Sequence, residues 1–329
     1  MTYDIVFDLD ETLLGYVTDG TFIKGDPRYI EFVIDGPIYY ANKEFTNLHI
    51  QHFVMPGAIE ILSVLNQIPE VRISFCSSGH RERNIRVLEK IKVLDKINKN
   101  KKLVSLSDIA YKILSNQDLL DVTRTLGSDQ EANKFGPNAN YVLLKKNLLL
   151  IDSSDIKNCI LVDDNPSYIL QGQEENFFKT QGIDNVYYPE IIAAVPLYIA
   201  KDILRTKNNL IIVLGMIIEG IRLTKINPTL SLSKFIYEIQ QNNLYADYDH
   251  PCKYHSHFYT VGLSKINLLF PAFNAYYYLS DSEEIRPLPS NSPLKKQSYW
   301  DLLSTEEKKA ANQRWAQINR QFAIVEKEK

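Results

Sequence analysis

Apolar runs bounded by polar turns organise the first half of the chain. Tyr3-Asp4-Ile5-Val6-Phe7 is a short β-branched and aromatic run that predicts a strand, and Val71–Cys76 predicts a second. Cys159-Ile160-Leu161-Val162 is unbroken apolar, the pattern of a strand buried on both faces. Between these runs the period lengthens. Pro56-Gly57 opens an amphipathic stretch with Ile59, Leu62 and Leu65 on one face and Ile61 beside them. Helical patterns are read over 81–97 and around 106–126. The alternation of strand and helix predicts an α/β fold with a parallel sheet and helices on both faces. Residues 15–55, with several Gly, Pro and Tyr and short alternating runs, read as a β-hairpin flap. Residues 98–140 read as an insertion, with a polar run at Asn98–Lys102.

The texture changes after Pro189. Ile191–Lys225 and Leu232–Asn242 carry helical patterns, residues 245–299 are rich in Tyr, His and Pro, and Ser304–Lys329 reads as a polar helix with a charged tail. A soft boundary falls near 195–210, so the expected organisation is a catalytic domain over 1–200 and a mainly helical region over 201–329. The longest apolar run, Leu210–Ile218, is far below the ~20 residues that span a bilayer and reads as a core helix. Trp300 and Trp315 read as packing anchors.

At 329 residues, 45% hydrophobic and 23% charged, the chain is long enough for one large or two ordinary globular domains, and a wholly disordered chain is excluded. The net charge of −3 argues against a general nucleic-acid binder. The charge is uneven: residues 1–199 carry 20 Lys+Arg against 27 Asp+Glu, and residues 200–329 carry 17 against 13. The two parts are therefore expected to meet different partners. Cys76, Cys159 and Cys252 make no disulfide framework, which fits a reducing compartment. The first residues read as a strand, so no cleavable signal peptide is expected.

The candidate chemistry lies at the ends of the predicted strands. The first leads into Asp8-Leu9-Asp10-Glu11-Thr12, the second into Ser77-Ser78-Gly79, and the third into Asp163-Asp164-Asn165-Pro166, with Lys145-Lys146 ahead of it. Open α/β sheets bind ligands at the carboxyl ends of their strands. A carboxylate is a weak nucleophile and repels an anionic phosphate, so it works only with positioned positive charge. Clustered carboxylates likewise need a counter-charge to stay ionised together.

These four motifs, in this order, resemble those of the haloacid dehalogenase superfamily. The resemblance implies a Rossmann-like fold over roughly residues 1–190 and a phosphatase that forms a phosphoaspartate. Asp8 would be the nucleophile and Asp10 the general acid and base, in surroundings that favour its protonated form when the leaving group departs. Ser77 would hold a phosphoryl oxygen, with Ser78 as the alternative. Lys146, or Lys145, would neutralise charge. Mg²⁺ would be bound by Asp8, Asp163, Asp164 and the backbone carbonyl of Asp10. Tyr141-Val142, the lysine pair and Val162–Pro166 resemble the capless, protein-directed branch, although the ~70 residues from Ser77 to Lys146 exceed what that branch leads one to expect.

Composition, size and layout also resemble tyrosine phosphatases of this superfamily that Legionella-type bacteria inject into host cells. That resemblance implies a phosphotyrosine protein substrate and a translocated, cytosolic or membrane-peripheral location; a monomer is expected. The aromatic and cationic 245–278 stretch, with seven tyrosines, reads first as a small helical domain packed on the phosphatase domain; a candidate phosphoinositide anchor is the alternative. A small-molecule phosphatase and a catalytically quiet membrane scaffold are the competing functions.

Overall fold

The computed structural model describes residues 1–16, 29–40, 43–55, 57–96, 102–122, 144–152, 154–180, 210–241, 255–271 and 273. In chain order the strands are β1 (Tyr3–Phe7), β2 (Leu14–Tyr16), β3 (Tyr29–Tyr40), β4 (Lys43–Val54), β5 (Val71–Cys76), β6 (Lys92–Leu94), β7 (Leu103–Ser105), β8 (Ile113–Leu114), β9 (Leu120–Asp121), β10 (Leu144–Lys145), β11 (Cys159–Asp163) and β12 (Phe177–Lys179). The α-helices are α1 (Ala58–Gln67), α2 (Arg81–Lys90), α3 (Leu106–Ile109), α4 (Leu210–Ile226), α5 (Leu232–Gln241) and α6 (His255–Leu269).

Side-chain alternation sorts the apolar runs into two layers. Tyr3, Ile5 and Phe7 of β1, Val71, Ile73 and Phe75 of β5, and Ile160 and Val162 of β11 enter one core. Val6, Cys76, Cys159 and Leu161 enter the other. This is the period of two that a strand imposes. Five strands pair in parallel in the order β12-β11-β1-β5-β8, so the fold is α/β as the sequence predicts. The chain fills the sheet outward from β1 to β8, then returns to the other side of β1 with β11 and β12. The switch point of the sheet therefore lies between β1 and β11.

The first core joins the sheet to α1, α2, α4, α5 and α6. Among the described residues the second core is closed by short 3-10 turns, with Leu148 and Ile151 packed against Leu161 and Cys159. The antiparallel sheet β2-β4-β3 forms the expected flap within 15–55; residues 17–28 of that stretch lie outside the described residues.

Two expected helices are shorter than their periodicity suggested. The helix over 81–97 ends at Lys90, and β6 follows, paired antiparallel with β7. Ile91 and Val93 are buried while Lys92 is exposed, an alternation that a strand satisfies and a helix does not. The helix around 106–126 is one turn, α3, opened by a capping box between Ser105 and Asp108. The chain then supplies β8, because the open edge of β5 needs hydrogen-bond partners. Phe75 N–H donates to the Lys112 carbonyl and Ser77 N–H to the Leu114 carbonyl. Part of the stretch read as an insertion thus belongs to the central sheet, while residues 98–101 and 123–143 lie outside the described residues.

The described helices beyond residue 209 share the first core with the sheet. Tyr3 Oη and Thr224 Oγ1 form a buried hydrogen bond of 2.7 Å between β1 and α4. α4 and α6 cross at backbone contact: a Cβ on Gly215 would stand 1.8 Å from the Phe258 carbonyl oxygen, and one on Gly262 2.0 Å from that of Ile211. Phe258, Tyr259 and Phe273, part of the aromatic stretch read as a candidate anchor, are buried in this core. Most of 245–278 outside α6, the 304–329 segment, Trp300 and Trp315 fall outside the described residues. No described helix is long and apolar enough to cross a membrane.

Candidate active site

Asp8 lies one residue beyond β1, and its N–H extends the β1–β11 ladder by donating to the Val162 carbonyl at 2.9 Å. Asp163 is the last residue of β11 and Asp164 the next. The switch point therefore brings three carboxylates together, with one oxygen from each of Asp8, Asp163 and Asp164 within 4.8 Å of the others.

Lys146 enters this group from the segment after β10. Its N–H donates to the Tyr168 carbonyl, which fixes the backbone, and its ammonium lies 5.0 Å from the centre of the Tyr168 ring. Nζ donates to Asp8 Oδ1 at 2.7 Å and to Asp163 Oδ2 at 2.5 Å while only 1% of the residue is exposed. Lys145 instead points outward, with Nζ on the Ser167 carbonyl. Geometry thus selects Lys146 of the pair.

The electrostatics follow from this crowding. Burial raises Asp8 well above the usual carboxylate range; Lys146 opposes that rise, and Asp163 and Asp10 add to it. Burial alone would depress Lys146, but Asp8 and Asp163 more than offset it and keep the ammonium charged. Asp164 is pushed up to about 6 by burial, then by Asp163 and Glu11, although Thr12 Oγ1 donates to its Oδ1 at 3.2 Å. The Asn165 N–H donates to Asp163 Oδ1 at 2.8 Å.

The loop after Asp8 reverses within a few residues. Leu13 and Leu14 N–H groups both donate to the Leu9 carbonyl, and Glu11 takes a left-handed φ of 61°. For a residue other than glycine that conformation costs roughly 1–2 kcal/mol, and the strain sits beside the clustered carboxylates. The turn directs the Asp10 carboxylate away from the three-carboxylate group. It accepts from Ser77 Oγ at 3.1 Å and is gripped on both oxygens by the Arg83 guanidinium. Ser77 is fully buried and accepts from the Gly79 N–H at 3.0 Å, whereas Ser78 is only half-buried. Arg83 also donates to His52 Nε2 and to Asn84 Oδ1.

No protein-family model matches the sequence, and neither does any curated protein. Several solved structures do match. A point variant of the fission yeast RNA polymerase II CTD phosphatase Fcp1, bound to beryllium fluoride, is similar at 16% identity and a TM-score of 0.34. The match covers 56% of this chain and 42% of that one, so the chain spans less than half the matched protein's length. Another structure of Fcp1, described as an essential RNA polymerase II CTD phosphatase, is similar at 13% identity and a TM-score of 0.34, covering 92% of this chain and 69% of that chain.

The donor set itself fits a magnesium ion. Three carboxylate oxygens converge, two of these groups are held above their ordinary pKa, and among the described residues Lys146 is the cation bonded to Asp8 and Asp163. A hard divalent cation with oxygen ligands supplies the missing positive charge. Asp8, Asp163 and Asp164 would hold it. The Asp10 carboxylate faces Arg83 and Ser77, which leaves only its backbone carbonyl for that purpose. The expectation that surroundings favour a protonated Asp10 meets an opposing feature, since its nearest charged partner is a guanidinium.

Ser77, Asp10 and the three carboxylates are thus brought to one end of the sheet, and Arg83, Asn84 and His52 join them without having been singled out in the sequence. Their signal was polarity in apolar positions. Arg83 and Asn84 occupy the buried face of α2 with Val87 and Leu88. His52 holds an inward position in β4, where Ile50 and Val54 are its neighbours in the period of two.

Proposed function

We propose that the protein is a Mg²⁺-dependent phosphatase that transfers the phosphoryl group of a monoester first to Asp8 and then to water. The observation that carries this reading is the buried Lys146 ammonium shared by Asp8 and Asp163, with Asp164 converging on the same point at the switch of the sheet. A catalytically quiet scaffold gains nothing from such a cluster, because burial works against the ionised forms of Asp8 and Asp164.

In the first half-reaction an Asp8 carboxylate oxygen attacks phosphorus and the bond from phosphorus to the ester oxygen breaks. Asp10, two residues on, donates a proton to the departing oxygen. In the second, Asp10 takes a proton from water as that water attacks phosphorus, and Asp8 is released as the carboxylate. Lys146 keeps positive charge beside the nucleophile throughout. Ser77 would turn its hydroxyl from the Asp10 carboxylate to a phosphoryl oxygen. A bound magnesium ion would supply the remaining counter-charge and orient the phosphoryl oxygens.

The substrate class favoured here is a phosphotyrosine side chain of a protein. It rests on the resemblance to translocated tyrosine phosphatases of the superfamily. The excess of Lys and Arg over Asp and Glu in residues 200–329 supports an anionic membrane as the place of action. The test is phosphate release from matched phosphotyrosine, phosphoserine and phosphothreonine peptides and small phosphoesters, with Mg²⁺ or EDTA, beside flotation with phosphoinositide vesicles. Mg²⁺-dependent release confined to phosphotyrosine peptides is the expected result. Release from small esters alone would move the assignment to a small-molecule phosphatase, and vesicle binding without any release to a quiet scaffold.

A further inference from the structure

Arg83 is a buried cation outside the three-carboxylate group. It projects from α2, is 5% exposed, and has every N–H engaged within the protein. Nη1 donates to Asp10 Oδ2 at 3.0 Å and to Asn84 Oδ1 at 2.8 Å. Nη2 donates to Asp10 Oδ1 and, at 2.8 Å, to His52 Nε2; Nε donates to that same nitrogen at 3.2 Å. A guanidinium whose donors are all used is poorly placed to bind a substrate phosphate. It is well placed to hold a carboxylate plane, because its fork fixes both oxygens at once.

The other side of the fork is held by the flap. His52 belongs to β4, in register with Tyr16 of β2. Since its Nε2 accepts from Arg83, the ring is the neutral tautomer with its proton on Nδ1. Burial and the adjacent guanidinium agree with this, pushing the imidazole down to about 4. Asn84 ties the same corner to the sheet edge, donating to the Gly79 carbonyl at 3.1 Å and to Ser115 Oγ at 3.0 Å. An imidazole, a guanidinium and a carboxylate therefore form one chain from the flap to the residue two positions after Asp8.

We propose that Arg83, braced by His52, is the positioning residue that sets the orientation of the Asp10 carboxylate, tying the flap to the proton-transferring group. This rests on the reading of Asp10 as that group. A proton donor must meet the departing oxygen within hydrogen-bond reach, and a displacement of 1 Å costs about 100-fold in rate. Lysine at position 83 keeps the charge but loses the fork.

The test uses the full chain with Mg²⁺ and two esters. Phenyl phosphate needs its leaving oxygen protonated; 2,4-dinitrophenyl phosphate does not. Arg83→Lys is expected to lower kcat/KM for phenyl phosphate about 100-fold and for the dinitrophenyl ester less than about 5-fold. Guanidinium ion added to Arg83→Ala should recover part of the phenyl phosphate activity. His52→Leu should show a weaker form of the same selectivity, His52→Gln should restore at least half of the loss, and Arg83→Lys/His52→Leu should be no worse than Arg83→Lys. Equal losses on both esters would overturn the proposal while leaving the phosphatase reading intact. No Mg²⁺-dependent hydrolysis by the wild-type protein would remove the phosphatase reading instead. Crystal structures of wild type and Arg83→Lys then decide the positioning on their own: the Asp10 side chain is expected to change rotamer, and an unchanged rotamer refutes it.

Discussion

Strand β1 carries two buried aspartates, Asp4 inside it and Asp8 just past its end, and their surroundings are opposites. Asp4 sits beside Arg72 of β5 in the parallel register. Arg72 forks it, Nε to Oδ1 at 2.7 Å and Nη2 to Oδ2 at 2.6 Å, and also reaches Asp152 Oδ2 at 3.0 Å. The Tyr111 ring lies 4.1 Å beneath the guanidinium carbon. Hydrogen bonds from Ser154 and Arg72 hold Asp152 well below the usual carboxylate range, and Arg72 is itself raised by Asp4 and Asp152. Here too one cation faces two carboxylates, but the second, Asp152, is partly exposed and also accepts from Ser154. At Asp8 one lysine serves two carboxylates, Asp164 adds a third, and Asp8 and Asp164 are raised rather than lowered. The first cluster stabilises the sheet. The second leaves negative charge uncompensated where a ligand can bring the missing cation, at a cost to the metal-free fold.

The largest test of that contrast is on turnover. Asp8→Asn keeps the volume and removes the proposed nucleophile, so phosphate release should fall by at least about 10⁵-fold with the circular dichroism spectrum unchanged; activity near wild type would end the nucleophile assignment. Lys146→Met should lower kcat by about 10³-fold through loss of the charge proposed to face the phosphoryl group, measured by steady-state assay with saturating Mg²⁺. Arg72→Met addresses the Asp4 cluster. It strands Asp4 and should cost about 2–4 kcal/mol in urea unfolding, while kcat of the folded protein stays within about twofold. A large kcat loss in Arg72→Met would erase the distinction between the two clusters.

The smallest effect has the opposite sign. A carboxyl whose pKa is raised on folding binds its proton more tightly in the folded state. It therefore weakens the fold as pH climbs from its unfolded value towards its folded value of about 6, and fully above that. For the partly exposed Asp164 the penalty is about 1–2 kcal/mol after screening. In EDTA at pH 7.5, Asp164→Asn should melt about 1–3 °C above wild type. The gap should narrow at pH 4.5 and reverse with Mg²⁺, which stabilises the protein that binds it. A variant that melts below wild type in EDTA would show that Asp164 is compensated after all.

The sheet strands and their terminal aspartates were legible in the sequence because both signals are local. A run such as Cys159–Val162 must be buried whatever surrounds it, and polar residues directly after such runs have to emerge at the sheet's end. The flap was legible for the same reason. The short α2 and α3 were not, since only the needs of the β5 edge and the pairing of β6 with β7 stop those helices. Nor could the order of the strands be read, and it is the order that puts Asp8 and Asp163 on either side of the switch point. The choice of Lys146 over Lys145 depended on which side chain the bridge beside Ile169 turns inward. Arg83 and His52 are 31 residues apart and meet only because α2 packs under the flap. Local patterning decides which residues are buried and which emerge at strand ends. Long-range pairing decides which of those charges face one another, because Coulomb and hydrogen-bond energies depend on distances that no sequence window contains.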